Sequence, residues 1–166
     1  FGVESRLIKY GAPDIVGVGS SRLAEMGLRP ETYHLVVARF EPENHVLEII
    51  RGYVSSRAEF PLVVVGSAPY SNEYSAAVRR ATDDRVQLVG GLWDQELLDQ
   101  LYANASTYLH GHSVGGTNPS LLRAAGGGTP TIAFDCVFNR GVIGNSGWYF
   151  SESSEVAECL LDAETN

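Results

Sequence analysis

The stretch Ser106–Asp135, STYLHGHSVGGTNPSLLRAAGGGTPTIAFD, decides how the chain is read. STYLHG (106–111) is short, largely apolar and free of helix signals, so a strand is predicted there. HSVGGTN is polar and glycine-rich. Pro119 then stands where a first helical turn tolerates proline, and a helix is predicted over Asn118–Ala125. TPTIAFD (129–135) reads as a second strand. Strand, turn, helix and strand at this spacing make a βαβ unit, which requires a parallel pair with a right-handed crossover.

The same rhythm extends outward. YHLVVARF (33–40) is a β-branched run and PLVVVG (61–66) is almost purely apolar, the mark of strands covered on both faces. RVQLVG (85–90) is a further strand. Between them, Val46, Leu47, Ile50 and Val54 fall at helical spacing within Glu43–Arg57, and Tyr74–Ala81 reads as a helix. Asp94–Ala105 carries Leu97, Leu98, Leu101 and Tyr102 on one stripe, with Asp94 as N-cap. Ser153–Asp162 is a closing helix. Residues 1–30 hold Gly, Ser and Pro without a period and read as a linker or entry segment, with one short helix near Ser21–Met26. The fold class is therefore α/β, a Rossmann-like parallel β-sheet flanked by helices, over residues 31–166. In such sheets ligands sit at the carboxyl ends of the strands, at the topological switch point. Those ends are Arg39–Phe40, Gly66–Ser67, Gly90–Trp93, Gly111–Asn118 and Asp135–Cys136.

Composition narrows the partners. Twelve basic against twenty acidic residues give a net charge of −8, which argues against nucleic acid. No apolar run reaches the roughly 18 residues of a membrane helix. The opening FGVESRLIKYGAPD lacks the basic start and long apolar centre of a signal peptide. Cys136 and Cys159 fit no CxxC pattern, so a reducing, cytoplasmic setting is expected, with both read as small buried apolar residues.

The segment after STYLHG invites a ligand. Glycines let backbone approach closely, and the amides and dipole at a helix start favour an anion. Thr117, Asn118 and Ser120 add donors. A structural strand-to-helix turn explains the same residues. The pattern is neither GxGxxG nor a Walker A loop, which excludes two common nucleotide motifs. His110 and His112 share a face of the strand. They read as the start of a zinc site or as hydrogen-bonding groups at a cleft, and no Cys, Asp or Glu nearby in sequence completes a metal set.

VARFEPENHVLEII (37–50), PLVVVGSAP (61–69), RVQLVGGLWDQELLDQLYANASTYLHGH (85–112) and GGTNPSLLRAAGGGTPTIAFD (115–135) together resemble the carboxyl-terminal domain of retaining GT-B glycosyltransferases of the group 1, family 4 type. KYGAP resembles that family's interdomain linker. GGTNPSLL is similar to a subgroup associated with rhamnose and other surface-polysaccharide sugars.

The resemblance implies a nucleotide-sugar donor, UDP-, dTDP- or GDP-linked, and transfer of its sugar to a glycan or glycoconjugate, without cofactor or metal. It implies that Arg39 contacts the donor pyrophosphate, as a guanidinium fork suits phosphate oxygens. It places Gly66 and Ser67 in a turn beside the donor. Gly91, Leu92 and Trp93 would receive the nucleobase, though Trp93 reads equally as a core or rim aromatic. Gly115, Gly116, Thr117, Asn118 and Ser120 would hold phosphate and sugar.

Two positions depart from the family. Asn44 or His45 stands where a diphosphate-binding lysine is usual. Gly115 and Arg123 occupy the places of two glutamates eight residues apart, and an arginine cannot accept bonds from ribose hydroxyls. Arg39 and Arg123 are thus the candidates for catalytic contact, with leaving-group charge resting on Arg39 and the helix terminus.

The resemblance also implies that the chain is the carboxyl-terminal half of a larger enzyme, without its amino-terminal acceptor domain. Alone it is expected to bind donor weakly and turn over little or nothing. Peripheral membrane association of the full-length enzyme stays open. So do two other readings: a degenerate, non-catalytic nucleotide-binding or interaction module, and a nucleotide-sugar epimerase of GT-B architecture.

Overall fold

A computed structural model describes residues 10–68 and 73–165. Residues 1–9 of the predicted linker, Pro69 of the PLVVVGSAP motif and Asn166 lie outside the described residues.

Six parallel strands form one open sheet: β1 (His34–Val37), β2 (Leu62–Val65), β3 (Val86–Gly90), β4 (Thr107–His110), β5 (Thr131–Phe134) and β6 (Trp148–Phe150). Their spatial order is β3-β2-β1-β4-β5-β6. The chain builds outward from β1 to β3, then crosses back to lay β4 against the other side of β1. The β1/β4 boundary is therefore the switch point. β1 runs in register with β2 from His34–Leu62 to Val37–Val65, and with β4 at His34–Thr107 and Leu35–Tyr108.

The helices are α1 (Val46–Ser55), α2 (Glu73–Arg80), α3 (Gln95–Ala103), α4 (Pro119–Gly127), α5 (Val137–Ile143) and α6 (Ser153–Thr165). α1 packs against α2 and α6, while α4 packs against α3 and α5. Each face of the sheet thus has its own core. Val36, Leu62, Val64 and Ile132 meet Ile49, Ile50, Tyr53, Val156 and Leu160 on one side. Leu35, Val63, Tyr108 and Ala133 meet Leu97, Leu101, Tyr102 and Leu121 on the other. All four residues of β2 and of β4 are buried, as strands covered on both faces must be.

The end signals act as read. The Asp94 side chain accepts the Leu97 amide at 3.1 Å and starts α3. Asn118 accepts the Ser120 amide at 2.9 Å with Pro119 at the first position of α4, and Gly128 closes that helix at φ 74°.

Five readings change. The helix predicted over Glu43–Arg57 is broken at its start: Pro42–Asn44 is a 3-10 turn, and His45 takes φ 46° before α1 begins. The strand at 33–40 is confined to His34–Val37, which leaves Arg39 beyond the ladder. α5 and β6 were not predicted. Within residues 10–30, Ile15, Leu23 and Leu28 are buried in one core, and the Ile15 amide donates to the Gly126 carbonyl at 3.2 Å. This part of the predicted linker is packed onto the domain, and its short helix is a 3-10 turn at Leu23–Met26. The two cysteines are half-buried free thiols, less enclosed than expected, and burial pushes Cys159 up to about 11.

Candidate functional site

Where the ends of β1 and β4 diverge, a cavity of about 150 Å³ opens. Its wall includes Ala38 and Arg39 after β1, Asn44 from the turn before α1, His110 at the end of β4 with Gly111 and His112 after it, and Asn118 and Ser120 at the start of α4. Sheet topology thus gathers residues up to 83 positions apart in sequence, from Val37 to Ser120.

Close backbone approach builds this end of the sheet. A Cβ on Gly66 would lie 1.8 Å from the Ala38 carbonyl oxygen, and one on Gly111 would lie 2.0 Å from that of Asn44. Only glycine fits either place. The 42–45 turn is then tied to the loop after β4. The His45 Nδ1 donates to the Gly111 carbonyl at 2.8 Å, and the Ser113 amide donates to the Glu43 carbonyl at 3.0 Å. Asn44 Nδ2 donates to the Arg39 carbonyl at 2.9 Å, so its Oδ1 is the atom 2.8 Å from His112 Nδ1. His112 Nδ1 therefore carries the hydrogen of that bond.

Beneath the cavity lies a buried polar cluster. Tyr108 Oη is 3.1 Å from His110 Nδ1, and the Tyr102 and Tyr108 rings pack with centroids 5.2 Å apart. Burial raises both phenols above their ordinary range. Burial, with the nearby His112, lowers His110 to about 3 and holds it neutral. This cluster was not read from the sequence. Tyr108 and His110 line the cavity together with Ser120.

Of the predicted residues, Arg39, Asn44, Asn118 and Ser120 line the cavity. Arg39 is exposed, and its guanidinium has no partner among the described residues. His45 is turned from the wall, its ring stacked on Phe134 at 4.0 Å. Gly91 lies between Trp93 and Ser67, since a Cβ there would sit 3.6 Å from Trp93 Nε1 and 3.8 Å from Ser67 Oγ. Trp93 is 95% exposed, which removes the core reading of this residue. Gly66, Ser67 and Gly91–Trp93 stand at the same end of the sheet but outside the cavity wall. Gly115, Gly116 and Thr117 also lie outside it, and the two glycines take φ 87° and 131°. Arg123 is elsewhere. It pairs with Asp99 of α3 and lines a separate hollow with Tyr10–Pro13. No group of three or more His, Cys, Asp or Glu among the described residues is placed to hold a metal ion.

The family profile described as "Glycosyl transferases group 1" matches residues 31–166. The chain belongs to the group 1 glycosyl transferases. No curated protein matches it in sequence. Solved structures share its fold. A glycosyltransferase from Rickettsia africae superposes with a TM-score of 0.81 at 12% identity, over 95% of this chain and 46% of that one. HepE from Anabaena, solved with UDP, gives 0.73 at 18% identity, over 92% and 43%. The C-terminal domain of LpcC, a glycosyl transferase group 1 family protein from Francisella tularensis, gives 0.67 at 17% identity, over 89% and 82%. The chain thus spans less than half of the Rickettsia and Anabaena proteins, and its fold is that of the carboxyl-terminal half of a GT-B glycosyltransferase. No helix among the described residues of this glycosyl transferase domain is long and apolar enough to cross a membrane.

Proposed function

We propose that the domain binds the diphosphate of a nucleotide-sugar donor in the β1/β4 cavity and contributes to transfer of the sugar to a glycan acceptor. The observation that carries this is the cavity itself. It sits at the switch point and joins the Arg39 guanidinium, which has no partner among the described residues, to the capped start of α4. A guanidinium fork and helix-start amides both suit phosphate oxygens, and they stabilise charge that develops on a leaving nucleoside diphosphate. Because Arg39 and the α4 terminus supply that counter-charge, we read the transfer as metal-independent. The family resemblance supports a retaining outcome and a rhamnose-type or related hexose in surface-polysaccharide assembly. Trp93, exposed beside Gly91, suits a nucleobase face. Arg123 is assigned no contact with the reacting atoms, since Asp99 already holds it.

Anabaena HepE was solved with UDP and UDP-glucose, which makes uridine nucleotides the first probes. Calorimetric titration with UDP, dTDP, GDP and their sugar conjugates, with and without magnesium, tests the assignment. Binding of one nucleotide that is insensitive to magnesium and lost in Arg39→Ala is expected. No binding to any of them would favour the degenerate module.

A further inference from the structure

The HGH motif brings a histidine into the cavity that the donor reading leaves unused. His112 lines the wall with Arg39, and the Asn44 carboxamide fixes its ring: Nδ1 carries the hydrogen, so Nε2 is the atom left to meet a ligand. Its backbone is pinned as well, because Asn139 Nδ2 donates to the His112 carbonyl at 3.0 Å. The ring is half-buried and therefore reachable from solvent.

The other histidines are placed differently, though His110 lines the same cavity. His110 is buried and neutral. His45 stacks on Phe134, and His34 faces Glu164 at the opposite end of β1. The ionisable groups on the elements around His112 are Arg39 after β1, Glu41, Glu43 and His45 before α1, Tyr108 and His110 on β4, and Asp135, Cys136 and Arg140 around the start of α5. Asp135 and Arg140 neutralise each other at 2.6 Å. Among the described residues Arg39 is thus the one permanent cation in the wall, against the two negative charges of an esterified diphosphate.

We propose that His112 is the second anion contact: its Nε2 takes a proton from solvent when a nucleotide-sugar binds, and the new N–H hydrogen-bonds a phosphate oxygen. This rests on the donor-site reading. An imidazole changes charge at near-neutral pH, and an adjacent anion favours its charged form. Affinity therefore rises as pH falls from about 8 to 6.

UDP-glucose is the right probe, because its doubly esterified diphosphate holds no proton that titrates near neutrality. Calorimetry at about pH 7.5 in buffers of different ionisation enthalpy should show uptake of a fraction of a proton per ligand. The uptake should vanish in His112→Gln, with affinity at about pH 6 weakened roughly tenfold, the scale of one charge-assisted hydrogen bond. In parallel, NMR titration of the four histidine rings should show one midpoint raised by UDP-glucose, the ring whose signal disappears in His112→Gln. His112→Asn serves if that variant does not fold. UDP-glucose binding without proton uptake, or with uptake retained in the variant, overturns the His112 role alone. Absence of binding overturns the donor site and this role with it.

Discussion

Gly111→Ala strikes the joint between the two loops that build the cavity. The new methyl would sit 2.0 Å from the Asn44 carbonyl oxygen and 3.1 Å from His45 Cβ. Ordinary contact begins at 3.4 Å, so the 42–45 turn must withdraw by about 1.4 Å. Neither neighbour is the free end of a flexible side chain. The His45–Gly111 and Asn44–His112 hydrogen bonds, both 2.8 Å, do not survive such a shift. Two neutral hydrogen bonds contribute about 1 kcal/mol each, and overpacking costs about 1–3 kcal/mol where relaxation is incomplete. A total loss of about 3–5 kcal/mol follows, which for a domain of this size lowers Tm by roughly 6–20 °C. Because Asn44 also tethers the Arg39 carbonyl, UDP affinity should fall together with stability. Scanning calorimetry and titration of the same sample measure both. A Gly111→Ala protein with wild-type Tm and wild-type UDP affinity would refute the tight joint.

Three further outcomes follow from other contacts. Arg39→Ala should weaken UDP binding by tenfold or more while leaving Tm within about 2 °C, since the guanidinium has no partner among the described residues to lose; titration and melting read the two effects separately. Arg123→Glu should lower stability by about 1 kcal/mol in denaturant melts, because it replaces an ion pair with a carboxylate facing Asp99; a sharp gain in donor affinity would contradict this placement. Glu164 bonds His34 Nε2 at 2.9 Å and accepts the amides of Glu59 and Phe60; its burial opposes ionisation, but these bonds outweigh it and hold the carboxyl below its ordinary range. A depressed carboxyl stabilises the fold above its unfolded pKa and stops doing so as pH falls through its folded one. Glu164→Gln should therefore cost about 1–3 kcal/mol at pH 7 and less at pH 3, as read by urea unfolding at the two pH values.

The parts of the fold legible in the sequence are those where local signals and burial agree. LVVV (62–65) is buried throughout because both faces are covered, and its composition says so. Asp94 and Asn118 mark helix starts through their own side chains. What escaped has physical reasons. β6 is three residues long and α5 contains Gly141 and Asn139, so neither shows a period; the helix is held by Asn139 donating to Phe134 and His112 carbonyls, which no local pattern reveals. The break at His45 places a non-glycine residue at positive φ, sustained by its contacts to Gly111 and Phe134. Ile15, Leu23 and Leu28 have irregular spacing, and their burial comes from docking onto the domain. At the site, Arg39 was legible as the residue just past a buried strand. The tie between Asn44 and His112 was not, because it joins residues 68 positions apart.

The central claim is that a nucleoside diphosphate sits between β1, β4 and the start of α4. Amide NMR during titration with UDP tests it most directly. The account predicts shifts concentrated at Arg39, Asn44, Gly111–His112 and Asn118–Ser120, extending to Gly91–Trp93, with the hollow around Thr129–Thr131 and Trp148 unmoved. Shifts centred on that opposite hollow, or on the Arg123 hollow alone, would contradict it.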